Sequence, residues 1–151
     1  MTKIGEYKGD GTWPFVATSE GDDIIVRDTH ATWFGGTDDK SDNGMTASGI
    51  STRPPGIMGC ALPMDIGNFA PTDGSPLRKM PWGTIVQVWA PNTNRIVRIQ
   101  LIDLGPAKWA CIENKAAIDL TQAAFQALGY SKAVGVIKVD YRIIGARKRF
   151  P

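Results

Sequence analysis

Thr84-Ile-Val-Gln-Val-Trp89, the turn Pro91-Asn-Thr-Asn94 and Arg95-Ile-Val-Arg-Ile-Gln-Leu-Ile102 form the stretch whose reading decides the fold. Both arms are rich in β-branched residues. In the second, Val97, Ile99 and Leu101 fall on one face and Ile96, Arg98, Gln100 and Ile102 on the other. A period of two on either side of a turn predicts a β-hairpin with one face in a core. Trp82 and Trp89 flank the first arm and are expected in that core. Outward along the chain, Val134–Ile144 is another β-rich run and Ile57–Leu62 a short apolar one. Ile24–Arg27 and Thr29–Phe34 are the earliest strand candidates. One segment reads as helix, with Thr121 as N-cap, an apolar body through Leu128 and Gly129 as the stop. It is too short to persist without tertiary packing.

The chain has 151 residues and a mass of 16.3 kDa, enough for one core and one domain. Hydrophobic residues make up 42% and charged residues 21%, which excludes a disordered chain, a coiled coil or a collagen-like fibre. Gly and Pro together are about 18% of residues against roughly 12% on average, so turns are frequent and short strands favoured. A net charge of +2 produces no strong field for nucleic acid, and Arg147-Lys-Arg149 reads as a solvated tail. No run approaches the ~18 apolar residues of a membrane span. The first ten residues lack the apolar core of a secretion signal. The expected location is therefore the cell envelope or outside if a leader was removed, and otherwise intracellular or virion-associated.

Residues 1–22 are polar and without clear period, which predicts an N-terminal arm. Residues 23–151 are then the folded domain. Four prolines and several Gly, Asp and Asn in 63–81 predict a long surface loop inserted at 63–79. The turn Asp39-Lys-Ser-Asp-Asn-Gly44 partly matches a calcium loop, but Ile50 stands where the twelfth-position Glu belongs, so it reads as a polar turn. Cys60, Cys111 and His30 are one short of the four ligands of a structural zinc site, so neither metal nor cofactor is expected. The two cysteines allow one disulfide or two buried thiols.

Two aspartates stand out. Asp103 ends the alternating strand, and Asp119 precedes the helix in Ala117-Ile-Asp-Leu-Thr121. Apolar neighbours desolvate a carboxylate and raise its pKa, which suits a general acid. The alternative for each is a cap on backbone N–H groups. Trp13, Trp33 and Trp109 lie beside turns, where an indole face can stack on a sugar ring.

Five pieces then occur in order: Ala31-Thr-Trp-Phe-Gly35, Thr46-Ala-Ser-Gly49, Met80-Pro-Trp-Gly-Thr84, Ile102-Asp-Leu-Gly-Pro106 and Ile118-Asp-Leu-Thr-Gln-Ala-Ala124, with Leu128-Gly129 after them. The ordered set resembles the rare lipoprotein A family, whose pieces read A-S-W-Y-G, T-A-S-G, L-P-F-G-T, N-D-R-G-P and I-D-L-S-x-A-A. The resemblance spans residues 29–144. It implies an all-β fold, a six-stranded double-psi β-barrel with one short α-helix. Relatives with this barrel, among them expansins and family 45 endoglucanases, bind β-1,4-linked glycans in an open groove, and the rare lipoprotein A type acts on peptidoglycan.

Carried over by position, Asp103 falls on the aspartate of the Asn-Asp-Arg-Gly-Pro motif. Asp119 falls on the acid of Ile-Asp-Leu, which matches that of the expansin His-Phe-Asp motif. The resemblance makes these the catalytic candidates, with Asp103 favoured as acid/base. It makes Trp33, Phe34 and Thr46 candidate substrate contacts, and Trp109 joins them as a tryptophan beside a turn. In such a barrel Cys60 and Cys111 are expected to approach each other. Leu104 stands where the family has arginine, Ile50 where it usually has glutamate, and the family's histidine has no counterpart. Three functions follow: a lytic transglycosylase acting on peptidoglycan or another β-1,4 glycan, a non-catalytic expansin-like module, or a structural virion protein that keeps the barrel alone.

Overall fold

The computed structural model describes residues 2–8, 12–36, 44–63, 70–71, 81–105 and 113–146. The deciding hairpin forms as read. β6 (Ile85–Ala90) pairs antiparallel with β7 (Arg95–Leu104), placing Val88 opposite Val97 and Val86 opposite Ile99. The turn closes through the N–H of Asn94 donating to the Ala90 carbonyl at 2.8 Å, with Asn94 at φ 54°. Asn is among the few residues that reach this left-handed region readily. Val86, Val88, Ala90, Val97, Ile99 and Leu101 point inward and are buried.

The core placement of Trp82 and Trp89 is corrected: they are 44% and 37% exposed. Trp89 follows the inward Val88, so the strand's own period turns it out. Ile102 departs the other way and is buried. On the neighbouring β4 (Gly59–Leu62), Cys60 pairs with Leu101 but Ala61 with Asp103, so one residue of β7 is skipped. That bulge turns Ile102 toward Gly59 and re-aims Asp103.

β3 (Asp23–Phe34) unites the two early strand candidates across an irregularity between Val26 and Thr29, where Asp28 has φ 56°. Around the barrel the strands run β3, β8 (Ala116–Thr121), β4, β7, β6 and β9 (Ile137–Ile143). The β3–β9 pairing closes the ring. β3–β8 and β4–β7 are parallel and the other four pairs antiparallel. Within the barrel β3 and β4 are consecutive strands but flank β8, while β7 and β8 are consecutive but flank β4. Each half straddles a strand of the other half. Exchanging β3, β4, β6 with β7, β8, β9 leaves every neighbour relation intact. These are two interlocked psi motifs, the double-psi β-barrel.

The interior is filled by Ile24, Val26, Leu62, Val88, Leu101, Leu120, Val139 and Ile143, all fully buried. The Tyr141 hydroxyl crosses this core to donate to the Ala117 carbonyl at 2.9 Å, so its buried oxygen is satisfied. Helix α1 (Gln122–Ala127) buries Ala124 and Phe125 against the barrel. Thr121 takes the N-cap position but forms no side-chain cap; its hydroxyl instead accepts the Gly59 N–H at 3.1 Å and ties β8 to β4. Gly129 ends the helix at φ 93°.

The segment read as an arm carries β1 (Thr2–Lys8) and β2 (Thr12–Glu20), an antiparallel pair joined to the start of β3 through Ala17–Glu20. Register shifts at Lys3/Gly5 and Glu6/Lys8, with Pro14 in β2, erase the period that would reveal these strands in sequence. β5 (Ala70–Pro71) pairs with β1 inside the stretch read as a loop. The remainder of that loop beyond Pro63, the calcium-like turn up to Asn43 and the basic tail lie outside the described residues.

Candidate functional site

Ala61 is paired on both sides, with Asp103 of β7 and with Asp119 of β8. Thr32 of β3 is the partner of Asp119 on its far side. One row thus crosses four strands: Thr32, Asp119, Ala61, Asp103. Register partners share a face, and Cys60, next to Ala61, lies inside with Leu101 and Leu120. The row therefore faces outward. Its two aspartates lie two strand spacings apart, about 10 Å between backbones, on either side of the buried Ala61.

The carboxylates are held differently. Asp103 Oδ1 accepts the N–H groups of Ala47, at 3.0 Å, and Leu104, at 2.9 Å. Its Oδ2 has no partner among the described residues. Two donors on one oxygen fix the plane of the carboxylate and leave the other oxygen for a ligand. Asp119 Oδ1 accepts the Thr32 hydroxyl at 3.1 Å. Beneath the row, burial pushes the Cys60 thiol far above its ordinary pKa, and the Asp119 carboxylate adds to the shift. Cys60 is a buried free thiol, and its expected partner Cys111 lies outside the described residues.

The loop over Asp103 is built by its own polar groups. The Thr46 hydroxyl donates to the Ile50 carbonyl at 2.8 Å, accepts the Ile50 N–H at 3.1 Å and meets Ser48 Oγ at 2.8 Å. The Ser48 N–H bonds the Ile102 carbonyl at 3.2 Å, which anchors the loop beside the bulge. Thr46 is buried and knots the loop. Phe34 is 9% exposed and packs into the barrel wall. Trp33 is half-buried: its indole N–H donates to the Lys132 carbonyl at 3.0 Å, and the Lys132 ammonium sits 5.3 Å from the ring centroid. Gln122 completes the cluster, donating to the Gly35 carbonyl and accepting from Lys132 Nζ. Trp109 lies outside the described residues.

The exposed apolar side chains near Asp103 are others: Met45 and Ile50 on the loop, and Leu104 beside the acid. Trp82 belongs with them, because its turn is pinned to β7 by the Gly83 N–H on the Leu101 carbonyl, two residues from Asp103. Trp82 escaped the sequence reading because it flanks the first hairpin strand and is expected in the core with it. Only the turn bonds of Thr84 to Pro81 turn it out. Among the described residues no three His, Cys, Asp or Glu side chains gather as metal ligands.

No family model matches the chain, and no curated protein matches it. Among solved structures it is similar to the Streptomyces papain inhibitor, at 23% identity over 77% of this chain and 90% of that chain, with a TM-score of 0.49.

Proposed function

We propose that the surface around Asp103, at the end of β7 beside the loop 44–53, engages a β-1,4-linked glycan strand of the peptidoglycan type, and that the chain cleaves it as a lytic transglycosylase. The observation that carries this reading is Asp103, with one oxygen fixed by two backbone N–H groups and the other without a partner among the described residues. Asp103 Oδ2 delivers a proton to the glycosidic oxygen as the C1–O bond breaks. The carboxylate then takes the proton of the sugar's own 6-hydroxyl as O6 bonds to C1. No water enters, so one acid/base group suffices, whereas an inverting hydrolase needs two carboxylates ~6.5–9.5 Å apart. Met45, Ile50, Leu104 and Trp82 supply exposed apolar surface beside Asp103. The ordered motifs shared with the rare lipoprotein A family support the same assignment. The protein would then work where glycan strands are met, in the envelope or carried on a virion.

A second reading is a non-catalytic glycan-binding module. It is favoured by Ile50 and Leu104, exposed apolar residues at the positions where that family has glutamate and arginine. Incubation with purified sacculi separates the two. Soluble 1,6-anhydromuramic products detected by mass spectrometry support cleavage, and co-sedimentation without product supports the module. Failure to sediment with sacculi and to release product contradicts both.

A further inference from the structure

We infer that the barrel carries a second carbohydrate-binding face, centred on β9, that takes one uncharged sugar ring. In the closed order β3, β8, β4, β7, β6, β9, strand β9 is three places from β4 in either direction. The two strands are therefore diametrically opposed, and a site on β9 shares no residue with the Asp103 row. On that side a depression of ≈ 220 Å³ opens to solvent between β3, β9 and β6. The volume is below the ~300–1,000 Å³ of sites for drug-sized ligands and is on the scale of a single ring.

The pairing register explains the lining. Trp89 sits opposite Asp140, and Gln87 opposite Arg142, so outward side chains of neighbouring strands converge there. Trp89 is held by its indole N–H donating to Asn94 Oδ1 at 3.2 Å, while the residue remains 37% exposed. The exposed Ile96, its cross-strand partner on β7, extends the apolar platform. Asp140 Oδ1 accepts the Asp28 N–H at 2.8 Å, which orients the carboxylate and leaves Oδ2 without a partner among the described residues. The Gln87 amide likewise has none among them. An aromatic face, a fixed carboxylate acceptor and an amide that both donates and accepts make a set suited to a hydroxyl-bearing ring.

Charge selects the class of sugar. Arg27 and Arg142 line the depression, but Arg142 bonds Asp23 at 2.8 Å and Glu20 at 2.9 Å. With Asp140, three carboxylates stand against two guanidinium groups, so an anionic glycan meets no net attraction. A neutral ring is the fit. Two opposed faces let one molecule hold two segments of a polymer, with avidity above that of either face.

The inference rests on the glycan reading only for the kind of ligand. Titration of the 15N-labelled full chain with chitotetraose, read by NMR, tests both separately. We expect shifts at the Trp89 indole N–H, the Gln87 side-chain amide and the Asp140 backbone N–H. Trp89→Ala should weaken that binding at least tenfold while peaks of buried residues such as Val139 and Leu120 stay in place. Shifts confined to Ala47, Ala61 and Leu104 overturn the second face and leave the Asp103 reading standing. Shifts confined to the β9 face support this inference and contradict glycan binding at Asp103. No shifts at either face overturn both.

Discussion

One carboxylate, that of Asp103, links the loop 44–53 to the strand end it covers, because Ala47 and Leu104 both donate to the same oxygen. Replacing it with alanine strands two N–H groups and should cost roughly 1–2 kcal/mol, or about 2–8 °C in Tm at the ~2–4 °C per kcal/mol of domains this size. Asp103→Asn retains an acceptor oxygen and should melt within a degree or two of the parent. Thermal unfolding followed by circular dichroism checks both variants; equal melting of the alanine variant and the parent would remove the anchoring role. Gly59 gives a second residue-scale prediction. A Cβ there would stand 2.6 Å from Ile102 Cδ1, the side chain that the bulge turns inward, and 3.2 Å from the Gln100 carbonyl. Gly59→Ala should destabilise by about 1–3 kcal/mol through overpacking, measured by denaturant titration. Cys60, whose thiol burial holds neutral, should resist alkylation by iodoacetamide in the native protein and react once urea unfolds it.

Among the elements, the β6–β7 hairpin and β9 were legible because alternation is a local signal that survives without knowledge of the fold. Helix α1 was legible within a residue or so at each end, from its alanines and Gly129, though Thr121 serves β4 rather than the helix. Phe125 is what keeps so short a helix in place, fully buried and 6.3 Å from the Tyr130 ring. Phe125→Ala should cost about 3–5 kcal/mol, read as an earlier urea midpoint. β1 and β2 were hidden because bulges, Gly5 and Pro14 break their period. The turn between β2 and β3 is locked to the far end of β9. Arg142 bridges Glu20 and Asp23, and the Gly145 N–H donates to Asp23 at 2.7 Å. The bond from Arg142 lowers the Glu20 pKa. For Asp23, burial pushes upward but is outweighed by Gly145 and Arg142, so its value is also lowered. Groups with depressed values stabilise the fold above the ordinary carboxylate range and lose that contribution as pH falls through their folded values. Between pH 7 and 3, Tm should fall more steeply in the parent than in Arg142→Met, with the gap closing below about pH 4. Parallel profiles would show the clamp to be without weight.

At the scale of the whole molecule, the barrel's neighbour order is non-local and could not be read from composition or period. It was reachable only through motifs in a fixed order. Those motifs located Asp103 and Asp119, and the register brings both beside Ala61. They could not tell which aromatics face out, because burial depends on the bulge at Ile102 and on turn bonds that no single segment reveals. Trp33 and Phe34 are half-buried and buried, and among the described residues Trp82 and Trp89 are exposed rings. The most direct test of the account is release of 1,6-anhydromuramic products from sacculi by the parent and by Asp103→Asn, with Tm measured on the same samples. We expect product from the parent, a fall of at least a hundredfold in the variant, and unchanged melting. Full activity in Asp103→Asn, or no product from the parent on any sacculus tested, would contradict the assignment of Asp103 as the acid/base.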